Sequence, residues 1–277
     1  MIRSILLALD ESEASSIAQK FALTLAKKLN AHIAGIGVLD EPWITAPEAV
    51  PLGAAAFKVE MDNQLLEDAK TRIHALETGF KRAASELGNN YHIIDTEGFP
   101  AEEIEKAIVA HDVLILGRDA NFHFFPLRGM AVSVEQLLKD SPRPIILTSD
   151  EETEGETIVF AYDGSLAAAR AIHMAILLNM HRDKKVHIVS INADAKTARN
   201  KAARIHALCE RHNIQSTIHA IESSEKPGTV LTDLADQLDA SMIVLGAYGH
   251  SGIAAFFKGS AMKDLINSTK VPLFLYH

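Results

Sequence analysis

The sequence predicts an α/β protein made of two repeated open parallel five-stranded sheets flanked by helices. Short apolar runs of strand length alternate with longer segments of helical spacing, the pattern of βαβ units with right-handed crossovers. The pattern restarts in the second half, where TIVFAYDGS of residues 157–165 repeats ILLALDES of residues 5–12. At 277 residues and 48% hydrophobic content the chain can fill two ordinary cores. A long period with only two copies marks duplicated domains, not a solenoid.

In the first copy, residues 2–10 form an apolar run that ends at Asp10, as a strand buried on both faces does. Asp10, Glu11 and Ser12 supply the polar start of a helix that continues through Ile17, Phe21 and Leu25 to Asn30. His32 to Leu39 reads as the second strand. Pro42, Pro47, Pro51 and Gly53 mark a loop from Asp40 to Phe57, in which the single tryptophan, Trp43, is expected to anchor the loop to the core. Leu65, Ala69, Ile73, Leu76, Phe80 and Ala84 then keep the spacing of a long amphipathic helix over 57–87. Strands are expected at 91–96, 112–117 and 144–148, with helices over 101–110 and 132–139.

Residues 149–156, SDEETEGE, are acidic and lack apolar anchors, as a solvated connector does. The expected domains are residues 1–149 and 157–277, with 150–156 as the linker. In the second copy, strands are expected at 157–163, 186–192, 214–221, 241–245 and 272–276, with helices over 167–181, 195–212, 229–238 and 260–267. Asp10 and Asp163 are 153 residues apart whereas Gly117 and Gly246 are 129 apart, so the second copy is 24 residues shorter. Most of that difference falls on the Pro-rich loop and the start of the long helix.

The chemistry is concentrated in GAYGHSGIAAFFKGSA, Gly246 to Ala261, directly after the apolar run Ser241 to Leu245. Glycines let backbone approach a ligand, and the amides of Ser260 and Ala261 at a helix start favour a phosphate. It is not a P-loop, because Lys258 precedes Gly259, nor a dinucleotide fingerprint, because it follows a late strand. The spacing of Gly246, Gly249, Gly259 and Ser260 is G-x2-G-x9-G-S. This resembles the nucleotide-binding signature of the universal stress protein family, in its ATP-binding branch, and both halves look like the family's domain over almost their whole length.

The resemblance implies a strand order of 3-2-1-4-5, the universal-stress and adenine-nucleotide alpha hydrolase-like arrangement, with a site at the strand ends. It implies that Asp163 meets the adenine edge, that Ile191 frames the base, that Leu245 and Gly246 meet ribose and phosphates, and that Gly249, Gly259 and Ser260 hold phosphate. The family often has a second hydroxyl residue where this chain has Ala261, whose amide remains. His250 and Lys258 lie within the loop, either beside phosphate or facing solvent.

The first copy departs from the pattern. Asp10, Val38 and Gly117 keep their places, but GRDANFHFFPLRGMAV puts Ala120 where the second glycine belongs, brings Gly129 one residue early and follows it with Met130. A glycine-only conformation would strain Ala120. The expectation is one competent ATP site per chain, in the second domain, with the first domain a partner surface or a weaker site at Asp10, Val38, Gly117 and Gly129. Arg118 and Arg128 are either anion-attracting or plain loop charges.

The ligand is expected to be ATP, with AMP or ADP as variants, and with magnesium, if present, carried by the phosphates, since no carboxylate cage is legible. The resemblance implies a nucleotide-dependent stress-response module. No base, nucleophile or metal carboxylate stands beside the cradle, so at most slow hydrolysis is expected. A weak ATPase or ATP-pyrophosphatase-like enzyme and a nucleotide-independent interaction module remain the alternatives. The apolar fifth strands, 143–148 and 271–277, read as sheet edges, and the resemblance implies that they pair the two copies as an intrachain pseudo-dimer, with a homodimer left open.

The net charge of −9 and the absence of a basic cluster argue against nucleic acid. No apolar span suited to a membrane and no leader are legible, and the lone Cys209 suits a buried thiol in a reducing cytoplasm. The thirteen histidines show no metal-binding spacing, so no metal is expected.

Overall fold

The structure is a computed structural model and describes residues 1–49, 51, 53–122, 132–247 and 265–277. Two compact units emerge, one of Arg3–Arg143 and one of Met1–Ile2 with Pro144–His277.

In the first unit the elements are β1 (Ser4–Ala8), α1 (Glu13–Leu29), β2 (His32–Leu39), α2 (Glu41–Ile44), α3 (Ala55–Leu87), β3 (Tyr91–Glu97), α4 (Pro100–Ile108), β4 (Val113–Gly117) and α5 (Val132–Asp140). Its sheet runs β3-β2-β1-β4, with every pairing parallel. All five residues of β4 are buried, which is why its sequence is an unbroken apolar run, whereas no residue of β3 is fully buried, as suits an edge strand. Helix α1 ends where Asn30 turns left-handed and its amide reaches the Ala26 and Lys27 carbonyls. Helix α3 lies close on β2: a Cβ added to Gly35 would come within 3.0 Å of Phe80, and one on Gly37 within 2.8 Å of Ile73.

The Pro-rich loop holds a helix that the prolines concealed. Pro42 stands in the first turn of α2, where a missing N–H costs nothing, and Asp40 caps it by accepting from the Trp43 amide at 3.1 Å. The loop's anchor is Ile44, buried with Leu39, Ala69 and Ile73, whereas Trp43 remains 43% exposed.

The second unit contains β5 (Ile145–Thr148), β6 (Thr157–Ala161), α6 (Leu166–Leu177), β7 (Lys185–Asn192), α7 (Ala195–Arg211), β8 (Ser216–Glu222), α8 (Pro227–Gln237), β9 (Ala240–Gly246) and β10 (Leu273–Tyr276). Its strands run β5-β10-β9-β6-β7-β8, all parallel except β5 against β10. The order 3-2-1-4-5 is therefore complete here as β8-β7-β6-β9-β10, and is met in the first unit as β3-β2-β1-β4. Strand β5 follows the first copy in sequence but pairs antiparallel with β10, Ile146 facing Phe274.

The acidic connector is tied down along its length. Ser149 Oγ donates to the Lys270 carbonyl at 2.5 Å, Lys184 Nζ reaches the Gly155 carbonyl at 2.6 Å, and the Lys185 amide donates to the Glu156 carbonyl at 2.8 Å. Gly155 is buried so closely that an added Cβ would lie 1.9 Å from the Asp239 carbonyl oxygen.

Candidate functional site

Parallel pairing brings four of the second unit's predicted residues to one end of its sheet. Ala161 pairs with Val189, which puts Asp163, two residues on, level with Ile191. Phe160 pairs with Val244, which puts Ala161 level with Leu245 and Tyr162 level with Gly246. Asp163, Ile191, Leu245 and Gly246 thus gather at the carboxyl ends of β6, β7 and β9, three adjacent strands.

Asp163 is 9% exposed, and Ile191 and Leu245 are buried. Among the described residues, the one hydrogen bond to the Asp163 carboxylate comes from the Ser165 amide to Oδ1 at 2.8 Å. Ser165 itself caps α6, its Oγ accepting from the Ala168 amide at 3.1 Å. Between them, Gly164 holds φ +93, and an added Cβ would lie 3.1 Å from Cε of Lys201 on α7. Lys201 brings a cationic side chain to this turn, and nothing in its helical spacing marked it.

Gly246 has a packing role that the motif did not reveal. A Cβ there would sit 2.4 Å from the Ala168 nitrogen and 2.6 Å from the Ala167 carbonyl carbon, so its bareness lets the start of α6 rest on the end of β9. Gly117 does the same for α1, with Ala14 at 2.9 Å. Gly249, His250, Lys258, Gly259, Ser260 and Ala261 lie outside the described residues, as do Arg128, Gly129 and Met130.

The equivalent place in the first unit is built differently. Asp10 and Val38 lie level at the ends of β1 and β2, given the pairing of Ala8 with Ile36, and are 2% and 1% exposed. The Asp10 carboxylate accepts from the Asn121 amide at 2.8 Å, the Ser12 amide at 3.1 Å and the Ser12 hydroxyl at 3.2 Å. Ser12 thus spends its hydroxyl on Asp10 and makes no side-chain cap on α1. Burial pushes the Asp10 carboxyl above its ordinary range, against the opposing pull of Asn121, Ser12 and Ser15. Ala120 and Phe122 are buried beside Asn121, and Ala120 closes a turn onto the Gly117 carbonyl at 3.2 Å without a positive φ. The strain that a glycine-like geometry would impose at Ala120 is absent.

Cys209 is free and buried, and burial raises its thiol pKa. Among the described residues no group of three or more His, Cys, Asp or Glu is arranged for a metal, and no helix is long and apolar enough to cross a membrane.

The family model described as the universal stress protein family matches residues 1–120 and 155–277. The universal stress protein Slr1230 of Synechocystis sp. is 23% identical over 290 residues, spanning 99% of this chain and 100% of that protein. A universal stress protein structure from Archaeoglobus fulgidus DSM 4304 superposes with a TM-score of 0.71 at 20% identity, covering 99% of this chain and 97% of the other. Another, from Archaeoglobus fulgidus in complex with dAMP, has a TM-score of 0.36 at 22% identity, covering 44% of this chain and 97% of its own. The chain belongs to the universal stress protein family and carries the family's region twice.

Proposed function

We propose that this protein binds one adenine nucleotide per chain, ATP or its AMP and ADP relatives, in the second unit, as a nucleotide-dependent stress-response module. The observation that carries this is the contrast between two equivalent carboxylates. Asp10 is satisfied by its own chain, whereas Asp163 receives a single described hydrogen bond and keeps acceptor capacity for a ligand. Asp163 would take the adenine side, the ends of β7 and β9 would frame the base and sugar, and the Gly249 to Ala261 segment would take the phosphates. Magnesium, where present, would ride on those phosphates. Pairing of β5 with β10 supports an internal pseudo-dimer of the repeats.

The test is to denature freshly purified protein and measure released nucleotide per chain by chromatography. About one nucleotide, lost in an Asp163→Ala, Gly259→Asp variant, is expected. Two per chain would reinstate the first site, and none, together with no binding on direct titration with ATP, would overturn the reading.

A further inference from the structure

The turn after β6 meets a cation from α7. Lys201 flanks the buried stripe Ala198, Ala202 and Ile205 and is itself half-buried. Its stem lies along the exposed Gly164, with Cε, Cδ and Cγ at 3.1, 3.6 and 3.8 Å from the point where a Cβ would stand. The ammonium is one C–N bond, about 1.5 Å, beyond Cε, which places it beside the residue that follows Asp163. The first unit shows a cation over the same turn in a different state. The offset of 153 that equates Asp10 with Asp163 equates Glu11 with Gly164. There α3, which follows β2 as α7 follows β7, supplies Arg72, whose Nη1 reaches Glu11 Oε2 at 3.3 Å. In the second copy glycine removes that carboxylate, and Lys201 has no hydrogen-bond or ion-pair partner among the described residues. Asp163 beside it uses only Oδ1, on the Ser165 amide, among those residues.

We propose that Lys201 is a nucleotide-contacting residue of the second unit, donating to an acceptor on the adenosine half of the ligand, a ring nitrogen or a ribose hydroxyl. The inference rests on the adenine-nucleotide reading above, in which Asp163 takes the base side and the Gly249 to Ala261 segment takes the phosphates. A lysine ammonium carries donors and no acceptor, and a carboxylate carries acceptors and no donor. Side by side, the two complement adenosine, which presents an amino group together with ring nitrogens and hydroxyls. A carboxylate at position 164 would hold the cation itself, as Glu11 holds Arg72. The bare Gly164 leaves the ammonium for the ligand.

Full-length protein stripped of nucleotide is titrated by calorimetry with AMP, ADP and ATP. Lys201→Met is expected to weaken all three by the same factor, at least about tenfold, as the loss of one charge-assisted hydrogen bond does. Arg72→Met, at the equivalent cation of the first unit, should leave all three unchanged. The melting temperature of stripped Lys201→Met should match that of wild type, which separates a ligand contact from a structural one. Should Lys201→Met fail to fold by circular dichroism, Lys201→Gln carries the same expectation. Wild-type affinity in the folded Lys201 variant, a loss that grows from AMP to ATP, or an equal loss in Arg72→Met would overturn the inference and leave the nucleotide site standing. No binding of any of the three by wild type would overturn both.

Discussion

The Asn121 amide donates to Asp10 Oδ2 across 2.8 Å, joining residues 111 apart in the chain. This contact gives the Asp10 carboxylate a partner from within its own unit.

Asp10→Ala is expected to destabilise the protein by about 1–3 kcal/mol, because buried donors lose their acceptor, and to leave nucleotide content unchanged. Asp163→Ala should do the reverse. Urea unfolding and nucleotide release on the two variants check this, and loss of nucleotide in Asp10→Ala alone would contradict it.

The pH dependence of Asp10 has a definite sign. Its folded pKa is raised above 3.8, so the native state binds the proton more tightly than the unfolded chain. Its contribution is fully present below the unfolded pKa and is lost as pH rises through the folded one. The stability of wild type minus that of Asp10→Asn should therefore fall as pH rises from about 4 toward neutrality. Urea midpoints across that range test it, and a rising difference would refute the assignment.

Gly246→Ala should lower the melting temperature more than Gly117→Ala. The first places Cβ 2.4 Å from backbone of α6, the second 2.9 Å from Ala14. Overpacking of this kind costs about 1–3 kcal/mol, and calorimetric unfolding would rank the two.

Gly155→Ala should destabilise the second unit although the residue lies in a polar connector, because its Cβ would overlap the Asp239 carbonyl oxygen at 1.9 Å. Glu154→Ala, at an exposed neighbour, should stay within about 0.5 kcal/mol of wild type. Equal melting temperatures for the two would show that the connector shifts freely.

The strands and helices were legible because their apolar spacing is local, and the repeat was legible because Asp10 and Asp163 end matching runs. Helix α2 was hidden because Pro42 reads as a breaker although the first turn accepts it. The pairing of β5 with β10 was implied by the resemblance and not by the residues, because Ile145 to Thr148 are all buried and would read the same beside any apolar strand. The Asn121 to Asp10 bond carries no sequence signal, since a backbone amide is common to nearly every residue type. The packing role of Gly246 was likewise masked, because a glycine bare for a helix and one bare for a ligand are the same letter.

The Asn121 contact also bears on how each unit responds to the cell. A ligand that binds only the folded state adds RT ln(1 + [L]/Kd), about 2.7 kcal/mol at a hundredfold excess over Kd. Under the proposed function, a group supplied by the chain itself is present at every concentration, and the unit that holds Asp10 is insulated from the adenylate pool. Under the proposed function, the unit that holds Asp163 rises and falls in stability with that pool.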